Sequence, residues 1–138
     1  MEEIKDRCIS KKEYLKKYDS NVGYALYVQK NIRKDDYARL NTGEIVRVIG
    51  IRENNVNKKA IYYGIYETDW FDSLATENFS DNIIDLIERG DYVNGEQIDF
   101  ITNKGHLLIR GNINFFDKYN GIKTILTHEQ FEQNSYKV

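Results

Sequence analysis

The chain has no proline and a single cysteine, Cys8, among its 138 residues. Without proline the sharpest breakers of helices and strands are missing, so its turns must come from glycine, asparagine and aspartate. One cysteine excludes an intramolecular disulfide. Only two histidines are present, His106 and His128, in no HExxH or similar pattern, so no metal-ligating set is expected. Neither sign of charge dominates: 20 basic against 22 acidic residues leave a net charge of −2. That balance argues against strong attraction to a polyanion and is far too mild for an acidic DNA mimic. No apolar run approaches the ~20 residues needed to cross a bilayer. The opening Met1-Glu2-Glu3 lacks the basic and apolar regions of a secretory signal, so a cytoplasmic location without membrane contact is expected.

What is present suits a strand-rich domain. Hydrophobic residues make up 41% of the chain, with 11 tyrosines, enough for one ordinary core and hence a single domain over residues 1–138. Residues 2–18 read as a peripheral helix with Ile4, Cys8, Leu15 and Tyr18 on one face and lysines elsewhere. The strand-rich first half spans 23–67. Residues 23–29 (GYALYVQ), 37–40, 44–52 and 60–67 read as strands, with turns at Asn41-Thr42-Gly43 and over the polar stretch 53–59. The 44–52 strand has apolar residues on both faces, which suits a central strand. In 60–67, alternation puts Tyr62, Gly64 and Tyr66 on one face and Ile61, Tyr63 and Ile65 on the other. Residues 68–79 are less regular and are pinned by Trp70, Phe71, Leu74 and Phe79.

The clearest local statement is 80–100, SDNIIDLIERGDYVNGEQIDF. Ser80 reads as an N-cap and Gly90 as a left-handed stop, with Ile83, Ile84 and Ile87 on the inner face of the helix between them. Asn94-Gly95 is the dipeptide of a type I′ hairpin. Strands follow at 106–110, 113–116 and 122–126, and the THEQ of residues 127–130 is a capping box opening a last short helix. With about eight strands and two or three short helices, the expected fold is α+β: a mainly antiparallel sheet, barrel-like or sandwich-like.

No GxSxG elbow or GxxxxGK[ST] loop occurs, and the acids Glu67, Asp69 and Asp72 near Trp70 have no diagnostic spacing, so a non-enzymatic role without cofactor is expected. The strongest candidate binding surface joins Tyr62 and Tyr66, separated by the small Gly64, with Trp70. Arg47, Arg39 or Arg52 on adjoining strands is placed to cover a flat group or pair with a phosphate. The expected binding residues are therefore Arg47, Tyr62, Tyr66 and Trp70.

Three tracts, YARLNTGEIVRVI (37–49), NIIDLIERGDYVNG (82–95) and IKTILTHEQFEQNSYKV (122–138), resemble small accessory proteins encoded by phages and prophages of low-GC Gram-positive bacteria. The resemblance brings no catalytic residues. It implies binding to a host component: an anti-defence inhibitor that engages a CRISPR effector or sequesters an immune nucleotide signal, with a host protein or small nucleotide as partner. A nucleic-acid-binding module on a small β-barrel is the alternative, and self-association into a homo-oligomer is compatible with either.

Overall fold

The computed structural model describes residues 8–53, 59–102, 106–109, 115–117 and 121–134. These form two compact units, residues 1–41 with 45–86, and residues 42–44 with 87–138. The fold is α+β with mainly antiparallel sheet. Among the described residues each unit contributes one open five-stranded sheet, and neither sheet closes into a barrel.

In the first unit, helix α1 (Lys11–Tyr18) is capped by Ser10, whose hydroxyl accepts from Glu13 N. Residues 8–10 are thus outside the helix, and residues 2–7 of the expected 2–18 helix lie outside the described residues. Cys8 precedes it, and Ile4 lies outside the described residues. Helix α2 (Asn21–Asn31) replaces the strand expected at 23–29. Its tyrosines and valine favour strands, but two other features prevail. Ser20 caps it by accepting from Gly23 N at 2.9 Å, and the buried Tyr24, Val28 and Ile32 recur every four residues, the spacing of one helix face.

That face covers a sheet in the order β4-β3-β2-β1-β5, built from β1 (Tyr37–Leu40), β2 (Ile45–Glu53), β3 (Lys59–Tyr63), β4 (Trp70–Phe71) and β5 (Thr76–Ser80). Strand β2 is central, as its two-sided apolar pattern suggests. Ala38 pairs with Val46 on one side and Phe79 on the other, and cross-strand partners share a face. These three join Tyr24, Val28, Ile32, Leu40, Val48, Ile61 and Phe71 in one buried cluster. On β1, Arg39 alternates with Ala38 and Leu40, and is itself only 1% exposed. Its Nη1 donates to the Leu86 carbonyl at 2.9 Å.

Two expectations fail here. Strand β3 stops at Tyr63 because Gly64 turns the chain with φ +81°, a conformation strands do not use. Ile65 and Tyr66 lie beyond it, 84% and 66% exposed. The helix expected after Ser80 is only a 3-10 turn, Ile83–Leu86. Ser80 ends β5, paired with Tyr37, and its hydroxyl accepts from Asn82 N and donates to Asp85 Oδ2. Leu86 and Ile87 are buried while Ile83 and Ile84 are only partly so.

The second unit has the order β10-β6-β7-β8-β9, from β6 (Tyr92–Val93), β7 (Glu96–Ile101), β8 (His106–Ile109), β9 (Phe115–Asp117) and β10 (Ile125–Leu126), followed by α3 (His128–Gln133). Asn94 (φ 54°) and Gly95 (φ 84°) make the expected hairpin, both in the left-handed region that a type I′ turn requires. Asn94 does more than turn the chain. Its Oδ1 accepts from Lys123 N and Thr124 N, while its Nδ2 donates to Gly121 O. Thr127 caps α3 by accepting from Gln130 N, but the Gln130 side chain donates to Thr42 O, so the other half of the expected capping box is not formed by that group.

Candidate binding cavity of the first unit

Strands β3 and β4 are two residues in register at their ends: Ile61 faces Phe71, and Tyr62 faces Trp70. Ile61 and Phe71 are buried in the core. Beside them, Tyr62 and Trp70 line a cavity of about 570 Å³ that α2 and the 3-10 turn Ser73–Ala75 also line. Val22, Leu26, Trp70 and Leu74 stand at this cavity while between 51% and 63% exposed. Four large apolar side chains converging while open to solvent are unusual unless something covers them.

The polar groups of the same cavity are tied to one another. Lys59 Nζ donates to the Gln29 carbonyl at 2.9 Å, and Gln29 Nε2 donates to Ser73 Oγ at 2.8 Å. An ammonium on a carbonyl of the last helical turn also complements the negative end of the helix. These bonds hold α2 against the edge of the sheet. They leave an apolar, aromatic-rimmed recess with a small polar floor, the composition of sites that take a side chain or a flat ring.

The residues singled out from the sequence divide. Tyr62 and Trp70 are brought together as cross-strand neighbours. Arg52 lies over the Tyr62 ring, its Cζ 5.5 Å from the centroid, and pairs with Glu67. Tyr66 is separated from Tyr62 by the turn at Gly64, so the two do not share a strand face. Arg47 is exposed and bonds Asp35 at 2.9 Å; it does not line the cavity. Arg39, considered as a cover for a flat ligand, is buried against Leu86. The acids near Trp70 have separate engagements: Glu67 with Arg52, and Asp72, whose Oδ1 accepts from Leu74 N.

Val22, Leu26 and Leu74 are not among the residues the sequence singles out for binding. Leu26 falls in the 23–29 stretch that reads as a strand, where a spacing of four from Val22 carries no meaning, whereas in α2 the two share a side. Of the four residues expected to pin 68–79 to the core, Phe71 and Phe79 are buried but Trp70 and Leu74 are 59% and 51% exposed. Comparisons with family models, with curated proteins and with solved structures return no match for this chain.

Proposed function

We propose that the protein is a non-enzymatic binding protein that acts on a host component as a phage or prophage anti-defence inhibitor, and that the cavity of the first unit receives a protruding apolar or aromatic side chain of a host protein. The observation that carries this reading is the convergence of Val22, Leu26, Trp70 and Leu74, all exposed, on one recess. Exposed apolar side chains around a recess supply the anchor pocket on which protein interfaces concentrate their energy. The phage-like wording of the three tracts supplies the biological setting.

The test is efficiency of plating on Gram-positive hosts carrying defined defence systems. Expression of the wild-type chain is expected to restore plating against at least one system. Trp70→Ala and Leu26→Ser are expected to abolish that effect while preserving the melting temperature, because both side chains are mostly exposed. Absence of protection across the panel, or full protection by both variants, overturns the proposal.

A nucleic-acid-binding role is the second reading, favoured by Arg52 over Tyr62 with Lys59 on the same strand. It predicts a gel shift that weakens as salt rises. No shift at low salt removes it.

A further inference from the structure

Strands β3 and β4 are the two legs of one hairpin, and its turn, residues 64–69, carries Ile65 and Tyr66, the most exposed large apolar side chains among the described residues. The turn is held in shape. Gly64 N donates to Arg47 O at 3.2 Å, Tyr63 N to Asp69 O at 3.2 Å, and Asp69 N to Tyr66 O at 3.3 Å. A tip fixed in this way gives up little conformational freedom when it docks. The legs of the same hairpin line the recess through Tyr62 and Trp70. Tip and recess are therefore neighbours, with the Cα atoms of Tyr62 and Ile65 at most about 11 Å apart. Neither fills the other within one chain, since Ile65, Tyr66, Val22, Leu26, Trp70 and Leu74 all remain more than half exposed. Strand β4 is the outer strand of its sheet, so no further described strand of that sheet stands beside the hairpin.

An apolar projection beside an apolar recess matches its own two-fold copy, because an isologous contact sets each patch against the other twice. Charge points the same way. The turn carries two exposed acids, Asp69 and Glu67, the latter paired with Arg52. The recess holds Lys59, whose ammonium has two donors beyond the one given to the Gln29 carbonyl. The acid of the recess itself, Asp72, accepts from Leu74 N through Oδ1. An apolar tip flanked by carboxylates is what this recess fits, and the chain carries one.

We propose that two copies of this chain associate through the first unit about a two-fold axis, with Ile65 and Tyr66 of each copy seated in the recess of the other. Tyr66 is the type of aromatic anchor on which interfaces concentrate their energy. Two small contacts place the pair at the weak end of specific association, with a Kd of about 1–100 μM. One consequence rests on the host-binding reading of the same recess: self-association closes it, and a host protein must displace the second copy.

The test is analytical ultracentrifugation of the purified full chain from about 1 μM to about 1 mM, with a dilution series followed by amide NMR. A reversible monomer–dimer equilibrium is expected, and the amides of the turn and of the recess should shift together with one Kd. Ile65→Ser/Tyr66→Ser and, separately, Leu26→Ser are each expected to weaken dimerisation by at least about tenfold. All three side chains are mostly exposed, so the melting temperature should be retained. The chain is measured alone, which keeps this outcome independent of the plating assay. A monomer at every concentration overturns the proposal. So does dimerisation undiminished in both variants, which would mark another surface, and so does open-ended assembly beyond the dimer, which a closed two-fold contact does not allow.

Discussion

Replacing Asp91 by asparagine tests whether a buried carboxylate is the clamp of the second unit. The substitution keeps the shape of the side chain and turns one acceptor oxygen into a donor. Two orientations are available. With the amide oxygen toward His128, the bonds from His128 N and Nδ1 are kept and the NH2 group opposes Glu88 N–H, leaving that donor unsatisfied at a cost of about 1–3 kcal/mol. The reverse orientation satisfies Glu88 and opposes both His128 donors, roughly doubling the penalty, so the first prevails. In it, two charge-assisted bonds become neutral, each weaker by about 1 kcal/mol. Relief of the desolvated charge offsets part of this. The net expectation is a loss of about 2–4 kcal/mol. At ~2.1 cal/mol/K per residue, a cooperative unfolding of a chain this long converts 3 kcal/mol into a fall of about 10 °C. The assay is urea and thermal unfolding by circular dichroism. Asp99→Asn, at an exposed carboxylate 3.9 Å from Arg89, is the control and should change stability by less than about 0.5 kcal/mol. An Asp91→Asn chain as stable as that control refutes the reasoning.

Other outcomes follow from the first unit. Burial, reinforced by Tyr27, Glu77 and Cys8, raises the Tyr24 hydroxyl well above its ordinary value of 10.0. A group whose folded pKa is raised contributes stability that is complete below the unfolded pKa and is lost as pH climbs beyond it. Unfolding free energy should therefore decline above about pH 10, and Tyr24→Phe should flatten that decline; equal slopes in the two chains would contradict it. At neutral pH the same variant loses the bond to the Ile9 carbonyl, costing about 1 kcal/mol. Ile61 and Ile65 test where β3 ends: urea denaturation should show Ile61→Ala, fully buried, costing about 2–5 kcal/mol, and Ile65→Ala within about 0.5 kcal/mol of wild type. Similar losses at both positions would restore the longer strand.

The parts of the fold legible in the sequence were those decided by neighbours in the chain. Asn94-Gly95 announces its turn because few residues other than these accept two successive positive φ angles. The apolar, β-branched stretch in 44–52 and the turn at Asn41-Thr42-Gly43 place β1 and β2 for the same local reason. GYALYVQ misled because its residues favour strands by type while their four-residue spacing favours a helix. The sheet it covers decided the matter, since Tyr24 and Val28 must both reach one face. The 80–89 stretch misled in the reverse sense: Ser80 resembled a cap, but pairing with Tyr37 drew it into β5.

Of the candidate site, residue types were visible and proximity was not. Tyr62 and Trp70 are neighbours because β3 and β4 pair, and no periodicity within either strand encodes that register. Val22 and Leu26 reach the same recess only through α2. Asp91 and His128 are 37 residues apart in sequence, and each alone reads as an ordinary polar residue. The sequence by itself determined composition, charge balance, hairpin turns and an α+β fold with mainly antiparallel strands, because these depend on short-range sterics and on the sum of side chains. Tertiary structure alone decided which aromatics meet, which arginine is buried and which carboxylate holds a histidine, because those depend on long-range pairing that burial of apolar surface selects.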